Sequence, residues 1–476
     1  MSNTAIYENP LLTRYASSQM QHLFSSDVKF QTWRSLWISL AKSQKELGLK
    51  ITNEQIEAME KHALDIDYER VRTIEKETRH DVMAHIKAFG EKAIEAAPII
   101  HLGATSCFVT DNTDIILLRE GLLHIKGLLV TLINELSVFA KKHKNIACLG
   151  FTHFQSAQPT TVGKRACLWL SDLISDLEQL DFALSKLKFF GCKGATGTAA
   201  SILSLFNEDH KKVLELEKKI AKRFGFSEVY PIAGQTYSRK IDFSVLSALS
   251  AIATSSMKFS FDMRLLSHLK ELEEPFGSAQ VGSSAMPYKR NPMRSERITS
   301  LSRYVNINLL NAAFTASEQF LERSLDDSAN RRITLPQSFL ALDAILSLYI
   351  DIIKGIQVNK GVIKKNIKNE LPFLATENIL MHAVSNGGNR QELHEKIKQY
   401  AFGASEKIKK GGKSDLLEKL LADNDFSLTK DDLDKILVVE KFVGRASEQV
   451  DEFLVEVGEV IKNNKKFLGA RVEIKV

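Results

Sequence analysis

Proline is scarce in this 476-residue chain. There are nine, with none between Pro98 and Pro159, Pro159 and Pro231, Pro231 and Pro275, or Pro292 and Pro336. Proline removes a backbone donor and clashes with the preceding helical turn, so such gaps leave room for unbroken helices. Cysteine is scarcer still. Cys107, Cys148, Cys167 and Cys192 form no C-x-x-C pair and have no histidine at metal-ligating spacing. That argues against a zinc cage or a disulfide framework and for reduced thiols. Charge of one sign is lacking too: 64 basic against 58 acidic residues leave +6, a balance that suits a small anionic ligand and does not demand nucleic acid. No uninterrupted apolar run has the length, about 20 residues, that spans a bilayer. The N-terminal stretch MSNTAIYENPLLTRYASSQM shows no basic segment leading into an apolar one, as a secretory signal would. P-loop, dinucleotide-binding and H-E-x-x-H patterns are missing as well. The expectation is a cytoplasmic protein with no metal and no cofactor, binding neither nucleic acid nor membrane.

What fills the proline-free gaps is helical periodicity. In Thr110–Lys144, Ile115, Leu118, Leu122, Ile125, Leu129, Leu132 and Leu136 recur at helical spacing. Thr161–Phe189 repeats the pattern with Cys167, Leu170, Leu173, Ile174, Leu177 and Leu180. Gln235–Glu273, Ser295–Arg323 and Gln337–Ile356 read as three more long helices. Strand-like alternation is confined to Ala470–Val476. The fold class is therefore all-α. Helices of about 30 residues run to about 45 Å, and their several apolar faces suit a long bundle that also packs against other copies of itself. Shorter helices and polar turns make residues 1–105 an N-terminal domain, 106–357 the long-helix domain, and the Lys-rich 358–476 a C-terminal one.

Polar clusters fall at the ends of these helices. Arg79-His80-Asp81 is compatible with a plain helical ion pair, and Thr105-Ser106 with N-capping. Thr152–Arg165, THFQSAQPTTVGKR, sets His153 among hydroxyl and amide donors ahead of a helix N-terminus, which favours anions and can position a proton donor. Gly277–Pro292, GSAQVGSSAMPYKRNP, packs small residues beside Lys289 and Arg290; backbone N–H groups there can converge on an anion, although a helix connection alone would have the same composition. In Glu322–Pro336, Arg323, Ser328 and Arg332 could grip a phosphate, or the arginines could balance Asp326 and Asp327 at a surface corner. The inventory allows a cofactor-free acid–base enzyme acting on an anion.

Three of these segments, TSCFVTDN, THFQSAQPTTVGKR and GSSAMPYKRNP, resemble the shared regions of the fumarase/aspartase superfamily of lyases, with Ser156 standing where the second region often has proline. TRY, TRHDVMAH and RSLDDSANRR resemble its branch acting on succinylated purine nucleotides. That likeness implies β-elimination of fumarate from a succinylated adenine nucleotide, leaving AMP, and from the succinylated carboxamide ribotide. It implies Ser283 as the base, where chemistry alone would suggest a histidine, and His153 as the acid. Lys289 and Asn291 would face the developing charge and His80 would orient the substrate or the acid. Arg14, Tyr15, Arg323, Ser328 and Arg332 would hold the phosphate and neighbouring groups, while Thr105, Ser106, Gln235 and Arg297 would contact the succinyl part or the base. Arg79 and Asp81 join the substrate-binding set beside His80. Another lyase of the superfamily, such as argininosuccinate lyase, or an idle helical scaffold, is the alternative. In an up-and-down bundle Ser106 and His153 lie about 50 Å apart. Shared sites between antiparallel subunits are expected, and the resemblance implies a homotetramer with three subunits per site.

Overall fold

The computed structural model of the chain describes residues 6–277, 280–282 and 284–475. Helices dominate it, as the periodicity predicts. Three positioning helices come first: α1 (Ser26–Glu46), α2 (Tyr68–Thr78) and α3 (Asp81–Lys92). The long bundle follows, with α4 (Ser106–Lys142), α5 (Val162–Lys186), α6 (Lys240–His268), α7 (Met293–Glu318) and α8 (Asp327–Gly355). Ile115, Leu118, Leu122, Ile125, Leu129, Leu132 and Leu136 are all buried, and so are Leu117, Leu128 and Ile133 on other faces of α4. A helix apolar all round belongs inside a core. α8 is the one described helix long and apolar enough to cross a membrane by composition, and 83% of its apolar window is buried in the protein.

Ion pairs fix the helix directions. Arg239 at the start of α6 reaches Asp111 (2.8 Å) and Asp327 (2.6 Å), so the N-termini of α4, α6 and α8 lie together. Arg331 joins Asp242 (2.6 Å) and Asp114 (2.9 Å) at the same end. Lys354 meets Glu135 at the opposite end, so α4 and α8 run parallel. α5 and α7 run the other way: Trp169 Nε1 donates to Asp262 (2.6 Å) and Ser260 pairs with Thr299 (2.8 Å). The bundle thus has a charged end and a far end.

Two expectations shift. Pro336 was read as preceding the fifth helix, yet it lies inside α8, which starts at Asp327. The buried partners of Arg331 hold the turns before the proline in place against its local cost, an override of propensity by tertiary contacts. Strand structure, expected only in Ala470–Val476, is instead a hairpin at the far end, β1 (Ala147–Thr152) with β2 (Gln155–Thr161), plus a short pair, β3 (Leu272–Glu273) with β4 (Gln357–Val358). Residues 470–475 are extended but unpaired as a strand.

Beyond β4, the helix Lys360–Leu374 still packs Ile363, Ile367 and Leu371 into the main core, and the helices between Thr376 and Ile436 build a separate core around Ile379, Leu393, Leu416 and Phe426. The last helix, α9 (Ala446–Asn463), returns to the main core, where Val450 and Val457 are buried.

Removing one partner of a buried, hydrogen-bonded ion pair leaves an uncompensated charge, at about 3–5 kcal/mol. Arg331→Met is expected to lose about that much stability, read as a lower urea midpoint by circular dichroism. Arg331→Lys should recover only part, because a lysine cannot fork between Asp242 and Asp114. An unchanged midpoint for Arg331→Met would show the network to be dispensable.

Candidate active site

At the charged end, the junction of α2 and α3 carries the Arg79-His80-Asp81 cluster. Arg79 takes a left-handed conformation (φ 55°) as the C-cap of α2. His80 then caps α3: its Nδ1 accepts from Met83 N–H at 3.3 Å, while Nε2 faces Ser106 Oγ at 3.4 Å. Asp81 binds Arg332 at 2.9 Å. Burial acts to raise the Asp81 carboxyl, but the Val82 N–H and Arg332 together hold it below the usual range. Thr105 is the N-cap of α4 by position, yet its side chain makes no capping bond. Gln235 approaches Cys107 Sγ at 3.7 Å, and its backbone N–H donates to Glu322 O at 3.0 Å. Arg323 is paired with Asp327 at 2.9 Å, and Ser328, half-buried, lies in the first turn of α8.

At the far end, the β1–β2 hairpin ends in a two-residue turn. His153 (φ 52°) and Phe154 (φ 58°) both adopt positive φ between the paired Thr152 and Gln155. This is the geometry that Asn-Gly usually supplies, and forcing a histidine and a phenylalanine into it costs on the order of 1 kcal/mol each. The strain holds the imidazole at an exposed tip, with Phe154 69% exposed beside it. At the hairpin's base, Thr161 Oγ1 accepts from Lys164 N–H (3.1 Å) and starts α5.

The described part of the signature loop hangs from the N-terminus of α7. Buried Glu274 accepts from the N–H groups of Arg294 (3.0 Å) and Ser295 (2.7 Å), and burial pushes its carboxyl above the ordinary range. Asn291 Nδ2 donates to Gly282 O at 2.8 Å and ties the loop across. A Cβ on Gly282 would lie 1.9 Å from the Lys289 carbonyl oxygen, so only glycine fits there. Lys289 and Tyr288 face solvent. Ser283 lies outside the described residues. A third group lies along the middle of the bundle: Arg14 and Tyr15 in a π-helical turn (Leu11–Tyr15) meet Arg297 of α7 around a small cavity of about 10 Å³. The Arg297 guanidinium sits 5.5 Å above the Tyr15 ring. Burial holds Arg297 below its ordinary range, and Arg14 acts in the same direction.

The family described as "Lyase" matches residues 13–306, and the one described as "Adenylosuccinate lyase C-terminus" matches residues 372–453. The chain is 48% identical to the adenylosuccinate lyase of Schizosaccharomyces pombe over 95% of both chains, and 48% identical to that of Saccharomyces cerevisiae over 97% of both. It belongs to the adenylosuccinate lyase family. The Schistosoma mansoni relative is 47% identical over 99% of both chains. Among solved structures, β-carboxy-cis,cis-muconate cycloisomerase from Acinetobacter calcoaceticus matches with a TM-score of 0.81 at 20% identity, over 94% of this chain and 99% of that one. A fumarate lyase from Mesorhizobium matches at 0.79 and 21% over the same shares. These two support the fold.

In this member of the adenylosuccinate lyase family, one chain gathers His80, Asp81, Ser106, Gln235, Arg323 and Arg332 at the charged end. It does not bring His153 or Lys289 to them. The rise of α4, about 55 Å over its length, separates Ser106 from the hairpin end. Nor does one chain unite the residues expected to hold the phosphate and its neighbours: Arg14 and Tyr15 lie beside Ser347, about 25–30 Å along α8 from Ser328. Sequence reasoning missed Lys29, whose ammonium burial holds below its ordinary range although Asp114 and Asp81 oppose the shift. A lysine over the rings of Phe30 and Trp33 leaves no distinct signal in the sequence. It also missed Asp111 and Asp114, whose spacing of three near the start of a largely apolar helix was the available sign.

Gly282→Ala is expected to lower kcat at least about tenfold, because the loop must open to admit the methyl group and its donors lose their aim. The melting temperature should hold, since the described residues of the loop lie outside the hydrophobic core of the bundle. Steady-state kinetics beside a melting curve checks this, and unchanged kcat would show that the crossing to Lys289 is not needed.

Proposed function

We propose that this chain cleaves adenylosuccinate to AMP and fumarate, and the succinylated aminoimidazole carboxamide ribotide to its carboxamide ribotide and fumarate, in the cytoplasm. The observation that carries the reading is 48% identity to an adenylosuccinate lyase across 95% of both chains. In the elimination, a base takes the proton from the carbon beside a carboxylate. The electron pair forms the fumarate double bond, the C–N bond breaks, and the purine nitrogen takes a proton from an acid. Loss of the first proton leaves a doubly charged aci-carboxylate, which needs fixed cations and N–H donors where the charge gathers. Ser283 is the base, activated by nearby cations, and Lys289 supplies positive charge. Asn291 holds the loop across Gly282 and has a second amide hydrogen left to donate. His153 is the acid, and its strained, exposed turn supports that role: the imidazole is held out from its own subunit, where it can enter another's site.

Thr105, Ser106, Gln235 and Arg297 contact the succinyl part or the base. Arg14, Tyr15, Arg323, Ser328 and Arg332 hold the phosphate and its neighbours, with Arg79, His80 and Asp81 orienting the substrate. Because one chain spreads these residues over both ends and the middle of the bundle, the site is assembled from several copies. A homotetramer with three subunits per site does this. Exposed Tyr304, Ile307, Leu310 and Phe314, which stripe one face of α7, support burial against another copy.

Three measurements test the reading. Fumarate release, followed by absorbance, is expected from adenylosuccinate and not from argininosuccinate; the reverse preference would overturn it. Ser283→Ala and His153→Ala are each expected to lower kcat by about 10²–10⁴-fold while substrate still binds; near-normal turnover in either would remove that residue from its role. Mixing the two inactive variants should restore part of the activity as subunits exchange, and no recovery after demonstrated exchange would count against shared sites.

A further inference from the structure

The turn that carries Arg14 and Tyr15 has few apolar anchors, since Leu11 alone of its residues is buried. What fixes it is Gln21, whose Nε2 donates to Leu12 O (2.8 Å) and Ala16 O (2.9 Å), together with a pair of consecutive serines. Ser17 gives both its N–H (2.6 Å) and its hydroxyl (3.0 Å) to the two carboxylate oxygens of Asp343, which is 1% exposed and also takes His124 Nε2 at 2.7 Å. Ser18 does the same one residue later, with its N–H (3.1 Å) and hydroxyl (2.9 Å) on the two oxygens of Glu473. Glu473 belongs to the extended C-terminal tail. That tail is itself tied to the bundle, where Ala470 N–H donates to Thr131 Oγ1 at 3.1 Å. Lys475 closes the other side of the turn by donating to Leu12 O at 3.1 Å. Glu473 and Lys475 also line the cavity that Arg14, Tyr15 and Arg297 face.

We propose that Glu473 is a positioning residue for nucleotide binding: with Lys475 it latches the Leu11–Tyr15 turn so that Arg14 and Tyr15 stay over the cavity. The proposal rests on the reading that Arg14 and Tyr15 contact the nucleotide. Asp343 anchors Ser17 in the core whatever the tail does, so the fold does not depend on the latch. The tail adds a second hold on both sides of the turn, at Ser18 and at Leu12 O. The two carboxylates are not equivalent in consequence. The buried one secures the chain, and the half-exposed one sets the register of two side chains that must meet a ligand.

The test uses the full chain with Glu473→Ala, Glu473→Gln and Arg14→Ala. Glu473→Ala is expected to raise KM for adenylosuccinate roughly fivefold to twentyfold, with kcat within about twofold and an unchanged melting temperature. AMP should lose affinity by the same factor while fumarate keeps its own, a split that general loosening of the fold would not produce. Glu473→Gln, which keeps one acceptor oxygen, should fall between wild type and Glu473→Ala. Unchanged KM in Glu473→Ala while Arg14→Ala raises it would overturn the latch alone. Parallel loss of AMP and fumarate affinity with a lower melting temperature would also overturn it, by showing a purely structural role. Unchanged KM in Arg14→Ala would overturn the reading of Arg14 and the latch with it.

Discussion

Three helices of the bundle start at the same place, and that constraint organises the molecule. α4, α6 and α8 run parallel, so the partial positive charges of their N-termini, about half a unit each, are brought together. Left alone they would repel. The answer lies close behind these ends: Asp242 and Asp327 in the first turns of α6 and α8, and Asp111 and Asp114 in the second and third turns of α4. Four carboxylates in a buried space would in turn repel each other, and Arg239, Arg331 and Arg323 lie between them. Four acids against three arginines leave about one negative unit, comparable to what the three dipole ends offset. Tyr237 completes the cluster, donating to Asp242 at 2.6 Å and lying under the Arg239 guanidinium at 4.6 Å. Such a cluster need not add net stability over an apolar core. It specifies which ends meet, and so which polar residues become neighbours.

The neighbours it creates are those expected from separate segments. Arg323 is spent on Asp327 inside the network, while Arg332, one residue beyond Arg331, turns outward and reaches Asp81. Asp81 leads the helix that His80 caps, and His80 faces Ser106 at the uncapped start of α4. The chain thus steps from buried structural charge to exposed recognition charge within a few residues. Of the three arginines in this turn, Arg331 is internal, Arg323 is committed to Asp327, and Arg332 is mostly exposed beside Asp81.

The helices were legible because apolar residues recur at the helical period: every α4 position so named is buried, and so is every one on α5 but the half-buried Ile174. Boundaries were less so. Pro336 signals a break, and only the ion pairs of Arg331, drawn from helices distant in sequence, show why α8 continues through it. The hairpin escaped because β2, QSAQPTT, is polar and contains Pro159, so neither alternation nor β-branched enrichment marks it. The opposite error fell on RVEIKV, which alternates as a strand should, although its described residues 471–475 take no strand pairing. For the site, the polar islands at helix ends could be named from sequence. Which islands share an end could not, because that depends on helix direction. Asp111 and Asp114 were passed over for a related reason: a carboxylate on a helix reads as solvated until its partners are known.

Rigidity and reactivity are divided along the same lines. The bundle core is packed on every face and cannot move a proton donor by more than a fraction of an ångström. The groups assigned to chemistry sit instead on segments that leave it: a two-residue turn under backbone strain, a loop crossed at Gly282, and a π-helical turn tethered through serines. Each is anchored at its base by a buried contact, Thr161 capping α5, Glu274 capping α7 and Asp343 holding Ser17, and exposed at its tip. A tip that projects from its own subunit gains nothing from facing water. Its strain is worth keeping only if another surface receives it, and the exposed apolar stripe on α7 offers a way for that surface to be a second copy of the same chain. On the proposed shared site, the length of α4 is what keeps one subunit from completing a site alone.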